Sequence, residues 1–138
     1  MTTSPNVLFV CTSNVARSQA AAAYFNRLFP EGHADSAGTV VERENETIAE
    51  YGAPNTIEVL AEQGIDGSGF RRHQVTKDML EGYDKIIVMA AKETVPDWLA
   101  NHPKAERWEI FDPRSSEIDG LRAVFEDVQQ KVRQLGEL

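Results

Sequence analysis

The run Val7-Leu8-Phe9-Val10 is short, wholly apolar, and ends on the chain's only cysteine. Such a run suits a strand buried on both faces, as strands are in a parallel sheet. Cys11 opens a loop, Thr12-Ser13-Asn14-Val15-Ala16, and Arg17-Ser18 closes it. A small-residue helix over Ser18–Phe29 follows, stopped by Pro30-Glu31-Gly32. A short loop feeding a helix turns several backbone N–H groups toward one point, beside the positive end of the helix dipole. That arrangement binds a tetrahedral oxyanion and favours an anionic, nucleophilic sulfur.

A lone cysteine after a buried strand is ordinarily a small core residue. Three neighbours argue for more. Arg17 is costly to place near a buried helix start unless it faces an anion, and its fork suits phosphate bidentately. Asn14 tolerates the left-handed backbone that a tight loop needs. Ser18 is placed to cap the helix and to offer a hydroxyl to the thiolate.

The rest of the chain alternates strands with helices. His33–Gly38 reads as a second strand closing on a glycine turn, and Val40–Glu50 as an acidic loop with some helical character. Pro54 opens a helix to Gln63, with Gly64 as its C-terminal glycine. Phe70–Val75 reads as extended, Thr76–Leu80 as a capped turn, and Asp84–Met89 as another buried strand. Thr94–Asn101 reads as a helix with Pro96 in its first turn, Glu106–Ile110 as a strand. From Ile118 the spacing of Leu121, Val124, Phe125, Val128, Val132 and Leu135 defines a terminal amphipathic helix. The pattern predicts a single α/β domain over residues 1–138, three layers around a parallel, four-stranded sheet. Ligands in such sheets bind beyond the carboxyl ends of the strands.

Composition narrows the partners. The chain has 138 residues and a formal net charge of −8, which argues against a nucleic-acid surface. No apolar stretch reaches the roughly 20 residues of a membrane helix. One cysteine excludes an intramolecular disulfide and fits a reducing cytoplasm. Scattered histidines give no metal site, and nothing calls for a cofactor. Arg71-Arg72-His73 is the other basic spot, read equally as a solvated cluster or a substrate contact. Tyr51 is either a substrate contact or a half-buried tyrosine. His33 and His102 read as surface residues, Trp98 and Trp108 as packing residues.

A thiolate in an anion cradle can attack the phosphorus of a phosphomonoester, with loop N–H groups and Arg17 stabilising the equatorial oxygens. A leaving group then needs a proton and water needs a base, and one carboxyl can serve both. Asp112, after a strand and before Pro113, is the candidate; Asp97 and Asp119 sit inside helical segments and compete less well.

These residues resemble the low-molecular-weight protein-tyrosine phosphatase family, which shares its fold with arsenate reductases. The likeness covers nearly the whole chain: Val7–Cys11, Asn14 and Arg17-Ser18, Ser36-Ala37-Gly38-Thr39, Asp84–Met89 and Asp112-Pro113. It implies Cys11 as nucleophile, residues 12–17 as the phosphate loop, Ser18 as thiolate stabiliser and Asp112 as acid. It also implies that Ser36 and His73 order the loop asparagine. The chain departs from the family pattern at four places. Ser13 replaces a glycine that would relieve a strained angle, and Ala16 stands where a second cysteine is common. Arg114-Ser115-Ser116 follow Asp112-Pro113 instead of tyrosines, and Gln19 resembles the reductase branch.

The expected partner is a phosphorylated protein, an aryl phosphate or an inorganic oxyanion. Arsenate reduction is the alternative, and with one cysteine it requires an external thiol or a glutaredoxin-like partner. A non-catalytic oxyanion-binding module is the third reading, although it has no use for Asp112.

Overall fold

The computed structural model describes residues 5–113 and 117–135. Four parallel strands form one sheet in the order β2-β1-β3-β4: β1 Asn6–Cys11, β2 His33–Gly38, β3 Lys85–Val88 and β4 Ala105–Arg107. Five helices accompany them: α1 Arg17–Leu28, α2 Ile48–Tyr51, α3 Pro54–Glu62, α4 Asp97–Ala100 and α5 Ile118–Leu135.

The β1 run is apolar throughout because it has a core on each side. Val7, Phe9 and Cys11 join Tyr24, Phe25, Leu60, Phe125 and Val128 in the larger core, which contains residues of α1, α3 and α5. Leu8 and Val10 point the other way, to Ile86, Val88, Leu80 and Leu99. The two-residue period of a strand thus divides one apolar run between two layers. The buried face of α5 is the one its spacing predicts, with Leu121, Val124, Phe125, Val128, Val132 and Leu135 all inside. Burying each such side chain contributes roughly 1.5–3 kcal/mol.

Four segments differ from the sequence reading or refine it. The strand expected over 106–110 is the shorter β4, Ala105–Arg107, beyond which Trp108 N–H makes a last bond to β3, at Val88 O. The expected helix over 94–101 divides into a 3-10 turn, Lys92–Thr94, and the four-residue α4. Pro96 precedes α4 instead of lying in its first turn, and it holds Val95 in an extended conformation, as a proline does to the residue before it. The 70–75 segment makes only isolated bridges, Gly38 to Gln74 and Thr47 to Arg71. The acidic 40–50 segment ends in α2, started by a reciprocal capping box between Thr47 and Glu50. No described helix is long and apolar enough to cross a membrane.

Candidate active site

The loop from Cys11 to Arg17 sits at the carboxyl end of β1, where Cys11 pairs with Gly38 of β2. Five of its carbonyls, those of residues 11–14 and 16, are held by donors from outside the loop or from α1. Cys11 O accepts from Thr39 N–H (2.9 Å) and Thr12 O from Val40 N–H (2.9 Å). Ser13 O accepts from Arg72 Nε (3.0 Å) and Asn14 O from Gln19 Nε2 (3.0 Å). Ala16 O takes the first helical bond, from Ala20 N–H. In a planar trans peptide the N–H points opposite to the C=O, so these anchors turn the loop's N–H groups to the other side. Among the described residues, nothing accepts from the N–H groups of residues 13–18. The loop is therefore a nest of donors, built by what its carbonyls bind.

Asn14 is the pivot. Its φ of 55° is left-handed, a conformation that asparagine tolerates. Its Oδ1 accepts from His73 N–H (2.7 Å), which fixes the amide so that Nδ2 donates to Ser18 Oγ (2.7 Å). Ser18 Oγ, accepting from that amide, lies 3.0 Å from Cys11 Sγ, and its hydroxyl is the donor whenever the sulfur is a thiolate. Cys11, Asn14 and Ser18 are all buried. Ser18 therefore does not cap α1: the helix begins at Arg17, with Ala16 before it and no side-chain cap. His73 reaches Asn14 through its backbone; its ring Nδ1 lies 2.6 Å from Glu44 Oε2. No hydrogen bond among the described residues joins the Ser36 side chain to the loop. Ser13 is not in the left-handed region, so the missing glycine imposes no strain there.

Thr12 Oγ1 accepts from Ala91 N–H (2.9 Å), tying the loop to the end of β3. Arg17 is buried, its Nη1 donating to Met89 O (2.6 Å) and Ile110 O (3.3 Å). Its Nη2 lies 3.8 Å from Asp112 Oδ2. Cys11, Arg17 and Asp112 thus line one cleft, closed on its other side by Tyr51, Pro54 and Asn55. Asp97 and Asp119 do not line it. Arg114–Ser116, where the sequence lacks tyrosines, lie outside the described residues.

Sequence reasoning missed Arg72. Its side chain is 1% exposed; a solvated cluster was half of the expectation for it. Its Nη1 meets Glu46 Oε1 at 2.7 Å, and Glu42 lies 3.7 Å from Nη2. Its guanidinium lies over the Tyr51 ring, 4.3 Å from the centroid. The signal available was the run Glu42, Glu44, Glu46 facing Arg71-Arg72-His73 in charge, although the pairing spans a large sequence separation. Burial works against the charge of Glu44, but hydrogen bonds from the His73 ring and Gln74 N–H hold its carboxyl below the usual range. Arg71 stays exposed, its backbone carbonyl accepting from Gln19 Nε2.

Fold and site together define a small α/β protein with a cysteine-headed loop of backbone donors at the carboxyl edge of a parallel sheet. The chain belongs to the low molecular weight phosphotyrosine protein phosphatase family, whose profile matches residues 6–137; the family's members are phosphoric monoester hydrolases. It is 29% identical to a probable low molecular weight protein-tyrosine-phosphatase, EpsP, of Ralstonia nicotianae, over 91% of this chain and 90% of that one. It is 28% identical to the glutaredoxin arsenate reductase of a Synechocystis species, over 94% of each. Its fold matches the low molecular weight protein tyrosine phosphatase of T. tengcongensis with a TM-score of 0.81 and 25% identity, covering 96% of this chain and 97% of that one.

Proposed function

We propose that this chain hydrolyses phosphomonoesters through a cysteinyl-phosphate intermediate, acting on phosphotyrosine in proteins or on similar aryl phosphates in the cytoplasm. The observation that carries the reading is the meeting of Cys11, Arg17 and Asp112 at one cleft, beside a loop whose carbonyls at residues 11–14 and 16 are engaged by other donors. The phosphoryl oxygens take the loop N–H groups and Arg17, and Cys11 Sγ lies below the phosphorus. The Cys11 thiolate, receiving the Ser18 hydroxyl hydrogen bond, attacks phosphorus. As the ester bond breaks, Asp112 gives its proton to the leaving oxygen. The resulting carboxylate then accepts a proton from water as the water oxygen bonds to phosphorus and the S–P bond breaks, releasing phosphate and restoring the thiolate. Arg17 supplies charge on the equatorial oxygens throughout both steps.

Hydrolysis of an aryl phosphate by wild type, Cys11→Ser and Asp112→Asn tests this. The expected result is loss of turnover in Cys11→Ser and a fall of about 10²–10⁴ in Asp112→Asn. A Cys11→Ser protein as active as wild type would overturn it.

Arsenate reduction is the second reading, favoured by the likeness to the Synechocystis reductase; with Cys11 as its one cysteine the chain needs a thiol from outside. Cys11 would displace one oxygen of arsenate as water, forming a sulfur–arsenic adduct. An external thiol, or a glutaredoxin-like partner, would attack its sulfur, two thiols becoming a disulfide as As(V) becomes As(III). Arsenate-dependent thiol oxidation, without aryl phosphate turnover, is the outcome that selects it. Phosphate binding with neither activity selects the non-catalytic module.

A further inference from the structure

Arg72 is the largest fully buried side chain in the structure, and the catalytic proposal above leaves it unused. A buried guanidinium is expensive unless its donors and its faces are satisfied. Here each is engaged with a different part of the site. The edge bearing Nε holds Ser13 O at 3.0 Å, which orients the Ser13–Asn14 peptide and turns the Asn14 N–H to the opposite side. The far edge is neutralised by Glu46 at 2.7 Å and Glu42 at 3.7 Å. One flat face covers the ring of Tyr51.

Tyr51 is the last residue of α2, immediately before Gly52, which takes a φ of 92°. Tyr51 stays 45% exposed and lines the cleft. A tyrosine at the end of a four-residue helix has little local structure to fix its χ angles. The stack on Arg72 supplies that restraint, in the geometry of a cation–π contact. The backbone reinforces it: Arg72 N–H donates to Glu46 O, Asn45 N–H to Arg72 O, and Ile48 N–H to Phe70 O. Loop, arginine and rim therefore form one unit.

We propose that Arg72 is a positioning residue that couples the phosphate loop to Tyr51, and that this coupling makes the cleft prefer phosphates carrying a planar aromatic group. The inference rests on the phosphate-site reading above and deepens it. One face of Tyr51 is taken by Arg72; the remainder offers an aromatic wall beside the anion cradle. Inorganic phosphate touches the cradle only, so the two ligand types separate the two jobs of Arg72.

The experiment measures binding of benzylphosphonate and of inorganic phosphate, by calorimetry, to wild type, Tyr51→Ala, Arg72→Met and the double variant. Tyr51→Ala is expected to weaken benzylphosphonate about tenfold, the size of one aromatic contact, with phosphate unchanged. Arg72→Met is expected to weaken both ligands through Ser13, and benzylphosphonate about tenfold more than phosphate. The double variant should then show no greater loss of preference than either single one. Equal weakening of both ligands in Arg72→Met, an unchanged preference in Tyr51→Ala, or additive losses in the double variant would each overturn the coupling while leaving the phosphate site standing. Wild type binding neither ligand would overturn the site reading and the coupling with it. Should Arg72→Met not fold, Arg72→Lys carries the test. Its ammonium keeps a charge beside Glu46 but has no plane to lie on Tyr51, so the aromatic preference should fall, and a retained preference overturns the proposal.

Discussion

Arg17 and Arg72 approach the same loop from two sides, both buried, and their partners are of opposite kinds. Arg17 is held by two neutral carbonyls, Met89 O and Ile110 O, with Asp112 at 3.8 Å. Arg72 is held by one close carboxylate, a second at 3.7 Å and an aromatic face. Carbonyls orient a guanidinium without cancelling its charge, so Arg17 keeps a positive field in the cleft it lines. Carboxylates cancel it, so Arg72 is suited to hold structure. A net charge of −8 makes that difference matter, because an anion must be drawn in against the protein's overall field.

The sharpest way to break this comparison is to replace each arginine with methionine. Arg17→Met should lower aryl phosphate turnover by about 10²–10³ or more, as loss of a transition-state donor does. Arg72→Met should fall mainly on stability, by about 3 kcal/mol, because Glu46, 11% exposed, loses its close partner and keeps only Arg43 at 3.8 Å. Kinetics and urea denaturation of both proteins read the two effects, and an exchange of the two profiles would show that the assignment is reversed.

A smaller effect is expected behind the loop. A Cβ on Gly38 would stand 2.7 Å from Thr12 O and 2.8 Å from Val41 Cγ2. Gly38→Ala should therefore cost about 1–3 kcal/mol and weaken phosphate binding as Thr12 O shifts. Unfolding midpoints and phosphate affinity check it; a variant as stable as wild type would mean that β2 and the loop separate freely.

The smallest effect belongs to the exposed end of the Arg72 side. The Glu44 carboxyl lies below its usual range in the folded protein. Its contribution is thus present above the unfolded value and lost as pH falls through the folded one. Glu44→Gln should be less stable than wild type above about pH 5, by under about 1 kcal/mol for a pair this exposed, and the gap should close in more acid solution. Thermal melts across that range test the sign, and a gap that widens on acidification contradicts it.

Much of the scaffold was legible in the chain. Val7–Val10 and Ile86–Met89 are apolar at every position, which only a strand covered on both faces can use, and the α5 spacing marks its buried stripe directly. The Cys11-to-Ser18 spacing also brought the loop to notice, since a thiol, an asparagine and an arginine at one strand–helix junction share few other uses. The short elements were harder. The 92–101 region breaks at Val95 because of a local proline, yet where α4 begins depends on packing. The Ser18 hydroxyl looked like a helix cap, and its use was decided by Asn14, whose own orientation is set by the His73 N–H.

Sequence alone therefore determined the sheet, the placing of Cys11 at its carboxyl edge and the approach of Asp112 to the same edge, because periodicity and order along the chain encode them. The tertiary structure decided which arginine lines the cleft on carbonyl partners and which is neutralised by carboxylates. That choice depends on carbonyls at Met89 and Ile110 and carboxylates at Glu42 and Glu46, groups distant in sequence that only folding brings within reach of a guanidinium.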